Sequence, residues 1–195
     1  MTDKFQNKYR IPSSRLQNWD YGWNAHYFVT ICTHNRECYF GDISDGKMQF
    51  SEIGKIVKIE WLKTFEMRAD MNLQMGAYVV MPNHFHAIIT IGENEYNTER
   101  GTERRDAMHC VSTTATNNMG AKNQFGPQSK NLASIIRGFK IGVTKNARKI
   151  HADFAWQSRF HDHIIRNDKS FEKIQSYIIE NPLKWNNDKF NVKTD

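Results

Sequence analysis

Two short histidine patterns in the chain have the spacing to do chemistry: His84-Phe85-His86 within "VVMPNHFHAIITI" and His161-Asp162-His163 within "RFHDHIIR". In an extended strand successive side chains alternate faces, so His84 and His86 project to one side, roughly 7 Å apart at Cα, and can share one divalent ion. Phe85, Ala87, Ile89 and Ile91 then fall on the opposite, core-facing side. By itself the pattern describes two polar residues on a half-exposed strand equally well. The second pair, His161 and His163, opens a rival reading in which four imidazoles hold zinc. In that reading Asp162, a candidate proton carrier, falls on the other strand face. Further along, Tyr177 and Asn181 are four residues apart and so stack on one helical face beside the apolar stripe Phe171, Ile174 and Ile178.

The elements that must position these residues follow from periodicity. "AHYFVTICTH" alternates β-branched and aromatic residues and reads as a strand over about Ala25 to His34. Asp45-Gly46 marks the turn of a small hairpin. Ile53, Ile56, Val57, Trp61 and Phe65 recur at helical spacing behind Ser51 as N-cap. Two strands flank Pro82-Asn83. After a long polar stretch, Leu132, Ile135, Ile136, Phe139 and Val143 form one helix face, with Arg137, Lys140, Lys145, Arg148 and Lys149 mostly elsewhere. "FAWQSRFHDHIIR" supplies a further short strand. A last helix is capped by Asn167 or Asp168 and ended by Pro182.

The order β-α-β-β-α-β predicts an α+β, ferredoxin-like or RRM-like antiparallel sheet with helices on one face and an added C-terminal helix carrying Tyr177. The other sheet face, with the histidines on it, is expected to be open. A chain of 195 residues suits one core. The expected division is a basic N-terminal arm over 1–24, a single domain over 25–187 with a flexible insertion at about 94–130, and a C-terminal tail over 188–195, the stretch "LKWNNDKFNVKTD" being expected to be partly frayed.

Composition narrows the partner. Lys and Arg outnumber Asp and Glu by 27 to 21, a net charge of +6 and a pI near 9.2, which suits a polyanion. Cys32, Cys38 and Cys110 form no CxxC pair and leave an odd thiol, which favours a reducing compartment. With no signal-peptide pattern and no apolar run long enough to span a bilayer, the expectation is a cytoplasmic protein without a membrane partner.

Taken together, "YFVTICTHNR", "VVMPNHFHAIITI", "IIRGFK", "WQSRFHDHIIR" and "YIIENPLKW" resemble the single-tyrosine HUH transposases, particularly the REP-associated tyrosine transposases related to transposases of small insertion sequences. The matching segments run in the family's order over roughly residues 20 to 187. The resemblance implies that His84 and His86 bind a divalent ion, Mg2+ or Mn2+, and that Tyr177 attacks a DNA phosphate. Asn181 stands where insertion-sequence members carry a glutamine as third metal ligand. The implied substrate is single-stranded DNA beside a palindromic hairpin, with Arg137, Lys140, Arg148 and Lys149 as candidate phosphate contacts and a monomer or homodimer as the working unit. Two other classes stand beside it: a non-catalytic DNA or RNA hairpin binder on an RRM-like sheet, and a zinc hydrolase using both histidine pairs.

Overall fold

The computed structural model describes residues 4–5, 8–9, 15–16, 19–98 and 129–191. Most of the expected arm and of the expected insertion lies outside these residues. Two-residue strands β1 (Lys4–Phe5) and β2 (Lys8–Tyr9) pair with each other. The domain is built from β3 (Ala25–Cys32), β4 (Gly41–Ser44), β5 (Lys47–Phe50), α1 (Glu52–Glu66), β6 (Leu73–Met81), β7 (His84–Ile91), α2 (Leu132–Ala147), β8 (His161–Ile165) and α3 (Asp168–Glu180). A 3-10 turn over Asn181–Asn187 follows α3 directly.

The main sheet is antiparallel with strand order β6-β7-β3-β8, the ferredoxin-like arrangement expected. The helices start where short polar side chains satisfy their first amides. Ser51 accepts from the Gly54 amide at 3.0 Å, Asn131 from Ser134 at 2.9 Å, and Asn167 from Ser170 at 2.9 Å. The β4–β5 hairpin turns at Asp45 (φ 50°) and Gly46 (φ 70°), the left-handed pair that a two-residue turn between twisted strands requires.

Alternation along the central strands sorts their residues between two faces. Tyr27, Val29 and Ile31 of β3 and Phe85, Ala87, Ile89 and Ile91 of β7 meet Val57 and Trp61 of α1 and Ile135, Ile136, Phe139 and Val143 of α2 in the main core. Trp61 sits at its centre, with the Phe85 ring at 5.0 Å and the Phe139 ring at 5.3 Å.

The opposite face is not open, contrary to the sequence-based expectation. There α3 lays Phe171, Ile174 and Ile178 against Phe28, Ala77, Val79, Ile88 and Ile165. The physical reason is in α3 itself. Its apolar stripe needs a dry surface, and with α1 and α2 filling one side of the sheet the other side is the apolar area left to it. The chain then bends at Pro182 and returns across the sheet end, so Phe190 in the expected frayed tail is packed, only 8% exposed. The expected arm also joins the fold at its end: Trp19 and Tyr21 pack on the main core. Among the described residues no helix is long and apolar enough to cross a membrane.

Candidate functional site

Register brings the histidines to the middle of the covered face. His86 of β7 lies opposite Thr30 of β3 on one side and Val79 of β6 on the other, and His84 lies opposite Cys32 and Met81. Both are buried, at 0% and 1% exposure, with ring centroids 4.6 Å apart. Each ring is held at Nδ1: His86 by the Thr30 hydroxyl at 2.9 Å, His84 by the Asn83 side-chain oxygen at 2.9 Å. The Asn83 amide cannot be turned round, because its nitrogen donates to the carbonyls of Arg36 (3.0 Å) and Phe190 (2.8 Å). Its oxygen therefore accepts, His84 Nδ1 carries the proton, and His84 Nε2 keeps its lone pair.

Electrostatics agree with neutral rings. Burial, then the neighbouring His86, then Arg36 push His84 well below the ordinary histidine range, while the Asn181 amide works the other way. Burial, followed by Lys189, lowers His86 to about 3. A neutral imidazole with a free ring nitrogen is the form that binds metal.

Tyr177 reaches this pair from α3. Its hydroxyl stands 3.3 Å from His86 Nε2, and its ring lies edge-on to His86 at 5.4 Å. Burial, then Asp188, raise its pKa above the usual phenol value, so it is a protonated donor at neutral pH. Asn181, one turn on, is 2% exposed. Among the described residues its Oδ1 and His84 Nε2 are both buried without a hydrogen-bond partner. Two orphaned lone-pair atoms are costly in a dry site, and with the ring nitrogen His86 Nε2 they form a mixed nitrogen–oxygen donor set, which fits a divalent cation. Phe190 roofs the pair, 4.5 Å from the His84 ring. Beside them opens a cleft of about 970 Å³ lined by Thr30, Arg36, His86, Tyr177, Asn181 and Phe190, among others.

The other predicted residues fall elsewhere. His161 and His163 lie opposite Thr30 and Phe28, on the same sheet face but across β3 from the first pair. His161 lines the cleft, yet among the described residues no group of three or more His, Cys, Asp or Glu side chains is placed to hold a metal. Asp162 points away and pairs with Arg15 at 3.2 Å. Arg137, Lys140 and Arg148 line a second groove, of about 780 Å³, beside α2 with Trp156 and Phe160; Lys149 is exposed outside it. Thr30, Arg36, Asn83 and Phe190 were not singled out from sequence. Asn83 directly precedes His84 in "MPNHFH" and was the one with a visible local signal.

No protein-family model matches the chain. An uncharacterized protein of Haemophilus influenzae is 35% identical over 181 residues, 92% of this chain and 92% of that protein, and the two belong to one family. A second Haemophilus influenzae protein, named "Putative REP-associated tyrosine transposase", is 29% identical over 108 residues, 55% of this chain and 48% of its own length. Among solved structures, a REP-associated tyrosine transposase bound to a REP hairpin aligns with a TM-score of 0.53 at 18% identity, covering 89% of this chain and 74% of that one. The chain has the fold of a REP-associated tyrosine transposase. In this transposase fold β7, with the histidines, occupies a central position, and α3 carries Tyr177 over it.

Proposed function

We propose that the chain is a REP-associated tyrosine transposase: a metal-dependent single-strand DNA endonuclease and strand transferase that works at palindromic hairpins in the cytoplasm through a 5′-phosphotyrosine intermediate. The observation that carries this reading is the Tyr177 hydroxyl 3.3 Å from His86 Nε2, beside the orphaned His84 Nε2 and Asn181 Oδ1. The names of the relative and of the structural neighbour support it.

His84 Nε2, His86 Nε2 and Asn181 Oδ1 would hold Mg2+ or Mn2+, Mn2+ the more tightly, and the chemistry such an ion supplies is Lewis-acid polarisation of a phosphate oxygen. Thr30 and Asn83 orient the two rings by holding Nδ1. His86 Nε2 has one lone pair, so its contact with the Tyr177 hydroxyl and service as a ligand are alternative states of one atom. Tyr177 Oη attacks phosphorus; the P–Oη bond forms, the P–O3′ bond breaks, and the phenolic proton is balanced by the one gained by the departing 3′-OH. One phosphodiester replaces another, so attack by a second 3′-OH reverses the step and rejoins DNA without nucleotide hydrolysis. The cations of the α2 groove supply phosphate contacts for DNA beyond the cleft.

Tyr177→Phe tests the assignment. The variant is expected to bind a single-stranded hairpin with a 5′ flank within about threefold of the parent and to cut it at least about 1,000-fold more slowly, since only the nucleophilic oxygen is lost. Undiminished cutting would overturn the mechanism.

A further inference from the structure

Arg36 is a cation of the cleft that has no ion-pair partner among the described residues. It follows β3 in "THNR", where Asn35 (φ 51°) and Arg36 (φ 62°) both adopt left-handed backbone. Consecutive non-glycine residues in that region are strained, and such strain persists where the surroundings hold it in place. Here the surroundings are visible: Thr33 N–H and Oγ1 both donate to the Asn83 carbonyl, and Asn83 Nδ2 donates to the Arg36 carbonyl at 3.0 Å. The tie is to the residue that also orients His84. The turn and the candidate ligand are thus fixed by one side chain.

The held turn directs the guanidinium into the cleft that contains His86, Tyr177 and Asn181. It lies 4.2 Å from the Phe190 ring centroid, stacked on the roof of the site. Its Nη1 is buried with no hydrogen-bond partner among the described residues. Among the described residues Arg36 makes no ion pair, although Asp188 lines the same cleft. A buried, unmatched guanidinium donor beside a candidate nucleophile is costly unless an anion completes it.

We propose that Arg36 is a catalytic residue that binds the scissile phosphate: its guanidinium donates to non-bridging oxygens and stabilises the charge that develops on them as Tyr177 attacks. Planar, permanently charged guanidinium suits a phosphodiester, and donors fixed in advance act most strongly where charge accumulates in the transition state. This rests on the transposase reading, and the experiment separates the two.

The probe is a single-stranded DNA hairpin with a 5′ flank, incubated with Mn2+ and the full chain, comparing parent, Arg36→Met and Arg36→Lys. Met retains an unbranched side chain over Phe190 and removes every donor; Lys restores charge without the fork. At saturating DNA, Arg36→Met should form the covalent adduct about 100- to 1,000-fold more slowly, with hairpin Kd within about threefold and Mn2+ affinity, measured without DNA, no weaker than the parent's. Arg36→Lys should recover part of the rate. A merely structural role predicts that melting temperature and Mn2+ affinity fall together with activity in Arg36→Met, and that outcome overturns the proposal. So does parental adduct formation by Arg36→Met, which leaves the transposase reading intact. Failure of the parent to form any adduct removes both.

Discussion

The two faces of one sheet divide the work of this molecule. On the face covered by α1 and α2, β3 and β7 contribute Tyr27, Val29, Ile31, Phe85, Ala87 and Ile89 to an apolar core. One residue away along the same strands, Thr30, His84 and His86 are as deeply buried, yet beneath α3 and the returning C-terminal segment they meet polar groups whose hydrogen-bonding is incomplete. Burial is common to both faces; the orphaned lone pairs His84 Nε2 and Asn181 Oδ1 lie on the second, while on the first the Trp61 indole N–H is the polar group left without a partner among the described residues. The first face lowers the free energy of folding, and the second keeps lone pairs dry and available, an arrangement that favours ligand binding at the expense of stability.

The widest separation between the faces should appear on truncating neighbours. Phe85→Ala removes a ring packed on Trp61 and Phe139 and should cost about 3–5 kcal/mol. His84→Ala, next to it, removes an orphaned atom but leaves the buried Asn83 oxygen without its donor, and should cost about 1–3 kcal/mol, less than Phe85→Ala, while Mn2+ binding falls at least about 100-fold. Urea unfolding and Mn2+ titration measure the two. Comparable unfolding of both variants would end the distinction between structural and chemical faces.

A smaller effect sharpens the account of how the second face is set. Asn83→Ala frees His84 to carry its proton on Nε2, and Mn2+ affinity should drop about 10- to 100-fold. Asn83→Asp loses the donors to Arg36 and Phe190 but keeps the acceptor for Nδ1, so it should retain the tautomer and bind Mn2+ more tightly than the Ala variant. Nitrogen-15 shifts of His84 read the tautomer without metal. Equal losses in both variants would make Asn83 a packing residue alone.

A last effect is on pH. His84 and His86 stay neutral when folded, with His86 lowered from 6.5 to about 3, so below pH 6.5 the unfolded chain binds more protons than the folded one. Stability of the metal-free protein should therefore fall as pH drops from about 6.5 toward 3, by up to ~1.4 kcal/mol per pH unit for each histidine. Melting in EDTA at pH 7 and pH 5 should show a smaller loss for His86→Gln than for the parent. An identical loss would place His86 in contact with water.

Much of this division was legible in the sequence because it is local. Strand alternation set His84 and His86 opposite Phe85 and Ala87, the four-residue step put Asn181 one turn beyond Tyr177, and Ser51, Asn167 and Asp45-Gly46 marked their boundaries. What escaped was long-range. The cover over the histidines depends on where α3 docks, and the bond from Asn83 to Phe190 joins residues 107 apart in the chain. Arg36 gave no sign of its place because its turn, besides its local hydrogen bonds, is tied to Asn83, distant in the chain. The same propensity rules that read a strand as half-exposed cannot see a later helix that covers it.

The most direct test of the chemical face is to trap its product and locate it. The parent, given Mn2+ and a single-stranded hairpin with a 5′ flank, should yield a denaturation-resistant protein–DNA adduct, and peptide mapping should place the phosphate on Tyr177. An adduct on Tyr27 or Tyr78, or cut DNA with no protein attached, would contradict the account.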